Sequence, residues 1–371
     1  MSLPNTIGTH FAFTSFGESH GRCVGVVIDG CPTGLAIVEA DIQKLVDLRK
    51  PGQSIVTTQR SEEDRVEILS GTFNGLTTGA PLCMLVWNSD QRSSDYEKFR
   101  STPRPGHADY PAFVKYAGLN DYRGGGRFSG RITVGFVMAG SVALKLLQET
   151  MGIQIIAYTK ELGGISADLS KLSLEEIGKN RYSNEVRCPD ENAAEKMKER
   201  VVRERGKGDS LGGIVECVAF GVPPGVGEPI FASMESELSK SIFSIPAVKG
   251  IEFGSGFSGT KLKGSENNDV YTSSEEGRVI TKTNNSGGVL GGLTTGMPIV
   301  FRVAFKPASS IASAQQTLDL TTMKERELIV PGRHDPTVVP RAVPVVEAMT
   351  ACVLIDLAIG GGFIPRILEK T

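Results

Sequence analysis

The chain has 371 residues, 40% hydrophobic and 22% charged, a composition typical of a soluble globular protein. Its formal net charge of −2 excludes a general nucleic-acid binder, because such proteins carry a strongly basic surface. The start of the sequence lacks a basic segment followed by an apolar stretch, and no eighteen apolar residues run together, so neither export nor membrane insertion is predicted. The six cysteines form no CxxC pair and no metal-ligand spacing, so we expect a cytoplasmic protein with reduced thiols.

Strands and helices alternate along the predicted structure. Apolar runs bounded by glycine and proline turns predict strands at 24–29, 82–87, 214–220 and 299–305. Apolar spacing and terminal charges predict helices at 38–50, 134–148, 191–206 and 342–358. This order favours a layered α/β (α+β) fold, with a single domain over residues 1–371 and its long loops gathered in one place.

Two halves of the sequence share four features in the same order. The segment "GESHGRCVGVVIDGCPTGL" (17–35) returns without a gap as "GDSLGGIVECVAFGVPPGV" (208–226). "GLTTGAP" (75–81) returns as "GLTTGMP" (292–298). A Pro-Gly-His loop then occurs in each half, followed each time by a helical segment. The order predicts an internal duplication, with repeated halves at approximately 6–150 and 206–360.

Three of the four histidines, His20, His107 and His334, lie in loops rich in glycine or proline. We expect these loops to be exposed turns that can direct a side chain at a ligand. Each histidine has a charged or hydroxyl neighbour, which can tune its pKa for proton transfer. Any one of them could be an inert surface residue, but the shared setting favours a catalytic role.

Two loops are suited to binding an anion. "YRGGGRFSGR" (122–131) separates Arg123, Arg127 and Arg131 by glycines that let backbone amides approach a phosphate or carboxylate, although a solvated hairpin is the alternative. "FKPASSI" (305–311) places Lys306 near two serines, which is a weaker signal of the same kind.

Two other functions were weighed against the sequence. "GSGFSG" (254–259) matches the dinucleotide fingerprint, but no helical pattern follows it, so a Rossmann site is not predicted. The His-Asp pairs in "GHAD" (106–109) and "RHDP" (333–336) could suit a metal hydrolase. Both loops also carry arginine, and neither shows two ligands at helical spacing, so no metal site is predicted.

Together the loop motifs resemble the chorismate synthase family, in order, from residue 6 to about 358. The matching segments are "GESHG" (17–21), "RPGHADY" (104–110), "DYRGGGRFSGR" (121–131), "GDSLGG" (208–213), "SIPAVKGIEFG" (244–254), "NNSGGVLGG" (284–292), "FKPASSI" (305–311) and "GRHDPTVVPRAVPVVEAM" (332–349). The resemblance implies a shikimate-pathway lyase that converts 5-enolpyruvylshikimate 3-phosphate to chorismate and phosphate by anti 1,4-elimination and requires reduced FMN. It also implies a β-α-β sandwich with pseudo-two-fold symmetry, assembled as a homotetramer.

The resemblance also assigns roles to individual residues. By this match His20 acts as general acid or electrostatic stabiliser at the leaving phosphate, and Ser19 orients it. His107 protonates or hydrogen-bonds the reduced flavin, while Asp335 and Ser129 form a proton network near flavin N5. Arginines at four matched positions hold the substrate anions: Arg49, Arg104, Arg131 and Arg333. The positions matched to FMN contacts are Arg127, Phe128, Ser129, Pro246, Ala247, Gly291, Lys306, Pro307, Ala308, Ser309, Ser310 and Arg333.

The sequence departs from the family pattern at a few positions. Ile55 stands where many members have arginine, at a position linked to the nicotinamide nucleotide, whereas Arg49, which is matched to NADP binding, is retained. Phe128 and Ile132 replace a polar pair, and Asn285 replaces a common histidine. NADPH therefore stays an open possibility as the reductant. An NADPH-dependent flavin reductase and a non-catalytic flavin-binding module are the alternatives to the lyase.

Overall fold

The structure, a computed structural model, describes residues 3–50, 52, 56, 63–89, 93–330 and 334–369. The strands of the first half are β1 (Thr6–Ile7), β2 (Ala12–Gly17), β3 (Cys23–Asp29), β4 (Glu67–Ser70), β5 (Thr72–Phe73), β6 (Leu76–Thr77) and β7 (Leu82–Trp87). The later strands are β8 (Gln154–Leu162), β9 (Ile165–Ser166), β10 (Gly213–Phe220), β11 (Val248–Phe253), β12 (Tyr271–Ser273), β13 (Val279–Thr281), β14 (Val289–Leu290), β15 (Leu293–Thr294), β16 (Ile299–Phe305), β17 (Gln315–Asp319) and β18 (Lys324–Leu328).

The helices lie between and around these strands. The α-helices are α1 (Glu39–Arg49), α2 (Asp109–Lys115), α3 (Thr133–Met151), α4 (Leu174–Asn180), α5 (Glu191–Gly206), α6 (Met234–Ile242), α7 (Gly256–Gly259), α8 (Gly264–Asn267) and α9 (Val339–Gly360). Short 3₁₀ helices span Ser93–Arg100, Arg123–Phe128 and Gly130–Ile132. The eight strands and helices predicted from the sequence are confirmed, with ends shifted by at most three residues.

Two five-stranded antiparallel sheets enclose the long helices. The first sheet has the order β1-β2-β3-β7-β4, and the second has the order β9-β8-β10-β16-β11. Helix α3 packs on β3 of the first sheet, α9 packs on β8 and β10 of the second, and the two helices pack on each other. They approach closely because Gly140 of α3 has no side chain. A Cβ at residue 140 would overlap Ala348 of α9. The predicted layered β-α-β sandwich is confirmed.

The two central helices are unusually apolar. By length and composition, Gly130–Met151 and α9 could each cross a membrane, although the sequence has no uninterrupted run of eighteen apolar residues. In the fold, 83% and 94% of their apolar stretches are buried inside the protein. Contact with a second helix and a sheet on opposite sides accounts for this composition.

Both halves use the same hydrogen bonds to hold a hairpin. In the first, Thr77 Oγ1 donates to the Pro32 carbonyl at 2.6 Å and accepts from the Leu35 amide at 2.9 Å. In the second, Thr294 Oγ1 donates to the Pro223 carbonyl at 2.6 Å and accepts from the Val226 amide at 2.9 Å. This equivalence supports the proposed duplication. The residue limits of its halves stay a prediction, since β8 belongs to the second sheet and lies before residue 206.

Candidate active site

An open cleft of about 680 Å³ lies where loops from both halves meet. Its walls come from the loop before α2, the glycine-rich turn before α3, the loop entering β11, the loop after β16 and the start of α9. The volume is within the range usual for small-molecule sites. The expected gathering of long loops at one place is therefore confirmed.

Most of the predicted site residues line this cleft. The lining contains Arg49, Arg104, His107, Arg127, Phe128, Ser129, Arg131, Pro246, Ala247, Lys306, Pro307, Ala308, Ser309, Ser310 and Asp335. Gly291 is elsewhere, in the turn between β14 and β15. Arg333 and Ile55 lie outside the described residues.

The turn that carries Ser19 and His20 is buried, so the prediction of an exposed turn is wrong. The side chains are 0% and 4% exposed, respectively. The glycine-rich turn covers them, with the Ser19 amide donating to the Gly126 carbonyl at 3.4 Å. The Tyr96 ring packs edge-on against His20, with 5.1 Å between the ring centroids. Tyr96 also lines the cleft, so His20 lies directly behind the cleft wall.

Gly124 and Gly125 separate the two candidate proton-handling histidines. A Cβ on Gly124 would overlap the His20 ring and lie 2.8 Å from Ser19 Oγ. A Cβ on Gly125 would lie 3.4 Å from His107 Nε2. Both glycines have positive φ, 59° and 81°, which other residues rarely adopt. The glycines therefore bring His20 and His107 to opposite sides of one thin turn.

The buried Ser19 hydroxyl has no hydrogen-bond partner in the described part of the chain. Leaving a buried hydroxyl unpaired costs free energy, and native proteins rarely do so without a reason. A phosphate oxygen or a water molecule would satisfy it. This orphaned donor beside His20 is suited to an anionic ligand.

His107 belongs to a compact charged cluster with Arg104 and Asp109. Asp109 Oδ1 lies 2.6 Å from His107 Nδ1, and Asp109 also accepts bonds at 2.8 Å from Arg104 Nε and Nη2. Burial raises the pKa of the Asp109 carboxyl, but the bonds from Arg104 and His107 outweigh it, so this pKa lies well below its usual range. The contact between Asp109 Oδ1 and His107 Nδ1 orients the imidazole ring.

Arg49 and Arg131 share one buried carboxylate, Asp64. Arg49 Nη1 lies 3.2 Å from Asp64 Oδ2, and Arg131 Nη1 contacts Asp64 Oδ1. Burial lowers the pKa of the Arg49 guanidinium to about 9, with Arg341 and Arg131 lowering it further and Asp64 opposing them, so it stays cationic at neutral pH. For Asp64, burial raises the carboxyl pKa, but the two arginines lower it more. Two guanidinium groups therefore meet at one buried carboxylate.

Asp64 is a site residue that was not predicted. It lies in the charged segment "SEEDR" (61–65), which has the pattern of a solvated loop, yet its side chain is fully buried. Its backbone is left-handed, with φ 46°, a conformation that aspartate tolerates better than most residues. No local pattern indicates that this aspartate, rather than its acidic neighbours, turns inward.

The arginines of the glycine-rich turn have separate partners. Arg123 pairs with Asp121 at 2.8 Å at the surface. Arg127 donates to the Gly17 carbonyl at 3.0 Å and to the Ser15 carbonyl at 3.1 Å, which ties the turn to β2. The predicted cradle of three guanidinium groups is thus divided, and Arg131 is the member that joins the Arg49 cluster.

The second half contributes the opposite wall. Lys306 Nζ donates to the Gly106 carbonyl, and Arg104 Nη1 donates to Ser310 Oγ at 3.1 Å, so both contacts connect the halves across the cleft. Ala247 has φ 74°, a strained value for alanine, and its carbonyl accepts from the Lys306 amide at 3.0 Å. Strain of this kind often marks a ligand-binding segment.

Asp335 precedes α9 at the edge of the same cleft. Its carboxylate contacts Arg341 Nη1, and Arg341 Nε donates to the Arg49 carbonyl at 3.3 Å. The predicted proton-network residue is therefore connected to the arginine cluster.

A layered sandwich with an arginine-rich cleft, lined by His107 and His334 and with His20 behind its wall, is typical of an enzyme that acts on a small anionic molecule. A family model described as chorismate synthase matches residues 11–359. The chain belongs to the chorismate synthase family and is a carbon–oxygen lyase acting on a phosphate.

Individual relatives extend over almost the whole chain. A chorismate synthase of Dehalococcoides mccartyi is 54% identical over 368 residues, covering 99% of this chain and 100% of the relative. One of Methanosarcina acetivorans is 54% identical over 98% of this chain and 99% of its own. A chorismate synthase crystal structure matches with a TM-score of 0.74 and 29% identity, covering 95% of this chain and 93% of that chain.

Proposed function

We propose that the chain converts 5-enolpyruvylshikimate 3-phosphate to chorismate and phosphate by anti 1,4-elimination, with reduced FMN bound in the cleft. This is the last common step of the shikimate pathway to aromatic amino acids. The observation that carries the proposal is the placement of His20 and His107 on either side of Gly124 and Gly125, next to the Arg49–Arg131 cluster. Proton-handling groups and anion-binding groups thus meet at one cleft.

The charge of the cleft suits the substrate, which carries a phosphate and two carboxylates. Arg49 and Arg131 share one carboxylate, and Arg341, which is paired with Asp335, lies close to Arg49. An incoming anion would therefore meet several guanidinium groups in one place. Arg104 and Arg333 complete the proposed substrate-binding set.

Ser19 and His20 are proposed to act on the leaving phosphate. The unpaired Ser19 hydroxyl would donate to a phosphate oxygen, and the imidazole beside it would donate a proton or a hydrogen bond as negative charge develops. Because both groups are buried, these interactions are stronger than they would be in water.

The residues of the opposite wall fit a flavin. The cleft has the volume for it, and Pro246, Ala247 and Lys306–Ser310 present apolar surface, hydroxyl groups and one cation. Bound reduced FMN would supply the electron-rich group that the elimination requires while the net reaction stays redox-neutral. These residues would hold and orient it, together with Arg127, Phe128 and Arg333.

His107 and Asp335 are proposed to manage protons at the flavin. Asp109 fixes the His107 ring, so the imidazole can hold a proton or a hydrogen bond toward the flavin edge. Asp335, acting with Ser129, would hold or pass a proton at the other side, where its carboxylate contacts Arg341.

An anaerobic assay tests the reaction. The protein is mixed with photoreduced FMN and 5-enolpyruvylshikimate 3-phosphate without NADPH, and chorismate absorbance and released phosphate are followed. Equal amounts of both products would establish the lyase. FMN binding without product would favour the non-catalytic module. In a separate mixture of the protein with NADPH and oxidised FMN but no substrate, NADPH consumption would favour the flavin reductase.

A second arm of the assay, with oxidised FMN and NADPH, tests whether the chain reduces its own cofactor. We further propose a cytoplasmic homotetramer, which light scattering combined with size-exclusion chromatography would test. A dimer or monomer mass would contradict that part of the proposal alone.

A further inference from the structure

We infer that Asn88 is a positioning residue that holds the Ser19–His20 turn and Arg131 in one fixed arrangement. The inference rests on the proposed function, because it assigns Asn88 to the same site. Asn88 directly follows β7, and its backbone amide donates to the Arg22 carbonyl at 3.1 Å. The Asn88 side chain is half-buried and lies against the Ser19–His20 turn.

The side-chain amide of Asn88 binds both ends of the Ser19–His20 turn. Its Nδ2 donates to the Glu18 carbonyl at 3.1 Å and to the Gly21 carbonyl at 2.9 Å. Residues 18 and 21 flank Ser19 and His20, and the Gly21 amide closes the turn on the Glu18 carbonyl at 3.1 Å. One side chain therefore determines where the turn lies relative to β7.

The oxygen of the same side-chain amide contacts Arg131. Asn88 Oδ1 accepts from Arg131 Nε at 3.0 Å, while Asp64 contacts Arg131 Nη1. Because the guanidinium is planar, contacts at Nε and Nη1 fix the plane of the whole group. Asn88 thus connects Arg131, a proposed substrate-binding arginine, directly to the turn that carries the proposed acid.

No other side chain type of this size supplies the same three bonds. The Nδ2 group of the side-chain amide donates two hydrogen bonds, and its Oδ1 accepts one. A carboxylate at this position would keep the acceptor for Arg131 but would direct an oxygen at two carbonyl oxygens. Asn88→Asp therefore separates the hold on the turn from the hold on Arg131.

Turnover of the proposed substrate is the first readout. We expect Asn88→Ala and Asn88→Asp each to lower kcat about tenfold or more, with a smaller change in KM, because misplacing a catalytic group by a fraction of an ångström is costly. Asn184→Ala is the matched control: its half-buried amide also bridges loop backbone, to Cys188 at 2.7 and 3.2 Å, but lies outside the cleft lining. It should keep kcat within twofold.

Histidine NMR is the second readout and does not depend on activity. The chain has four histidines, so labelling the ring Cε1 of histidine with ¹³C gives four signals, one for each residue. The signal that is lost in His20→Gln belongs to His20. Asn88→Ala and Asn88→Asp should shift and broaden the His20 signal and leave His10 unchanged, whereas Asn184→Ala should change neither.

Unchanged His20 signals and kcat in Asn88→Ala would overturn the inference. Full turnover in Asn88→Asp would also overturn it, since the donors to the turn would then be dispensable. If Asn88→Ala does not fold, Asn88→Asp decides alone. If the unmodified protein binds FMN but shows no turnover, the proposed function fails, and the NMR result still decides whether Asn88 holds His20.

Discussion

Gly124 lies directly against His20, so closely that a Cβ at residue 124 would overlap the imidazole ring. The same atom would lie 2.8 Å from the Ser19 hydroxyl. The glycine is therefore required for two reasons, its positive φ and the space that the buried histidine occupies. Its contact with His20 determines how near the histidine can come to the cleft.

Replacing Gly124 by alanine should damage the site more than the fold. We expect Gly124→Ala to lower kcat about tenfold or more, because His20 and Ser19 must move, and to destabilise the protein by about 1–2 kcal/mol through backbone strain. Gly164→Ala is the control, since Gly164 also has positive φ (82°) but a Cβ there would meet nothing within 4 Å. Steady-state kinetics and urea unfolding measure both effects; equal kcat values in the two variants would contradict the role of Gly124.

His20, behind the cleft wall, and His107, in the cleft lining, should each matter for turnover. We expect His20→Ala and His107→Ala to lower kcat about tenfold or more, the scale usual for a positioned proton donor. His10→Ala serves as control, because His10 lies at the other end of α9, beside Gly360, and outside the cleft. Normal kcat in both cleft variants would refute the roles assigned to them.

Asp64 should stabilise the arginine cluster at neutral pH. Asp64→Asn keeps the shape and tolerates the left-handed backbone but leaves Arg49 and Arg131 without their shared counter-charge. We expect a loss of about 3–5 kcal/mol in the free energy of unfolding. Inorganic phosphate should raise the Tm of this variant more than that of the unmodified protein.

Its control is Asp121→Asn, which removes the surface ion pair with Arg123. That change should cost below about 1 kcal/mol. A similar small loss in Asp64→Asn, with no added response to phosphate, would show that the buried cluster does not need its carboxylate.

Asp109 should make stability depend on pH. Its folded-state pKa lies below the unfolded value of about 3.9, so its contribution is complete above that pH and is lost as the pH falls through the folded pKa. We expect Asp109→Asn to lose about 3 kcal/mol at pH 7. The difference from the unmodified protein should begin to shrink below about pH 4, where the unfolded carboxyl takes up a proton, and should be lost only when the pH falls through the lower folded-state pKa.

Urea unfolding at several pH values measures this difference, with the exposed Asp29→Asn as control. Asp29→Asn should show a small difference at every pH. A difference for Asp109→Asn that is the same at pH 7 and in acid would contradict the proposed pairing with Arg104 and His107.

The sequence by itself determined the elements and most of the cleft. Apolar runs between glycine and proline turns correctly predicted strands β3, β7, β10 and β16, because the pattern of apolar residues and the preference of glycine and proline for turns can be read from the local sequence. Loop motifs identified His20, His107 and Lys306, since residue types suited to protons and phosphate stand out where no core packing requires them.

The tertiary structure decided what those residues contact. Three contacts depend on partners far away in the sequence: Asp64 turns inward to Arg131, Asn88 joins the histidine turn to Arg131, and Arg127 is tied to β2. Local patterns record whether a segment suits a strand, helix or turn. They do not record which distant charge will meet a buried side chain, because that pairing forms only when the two sheets close on α3 and α9.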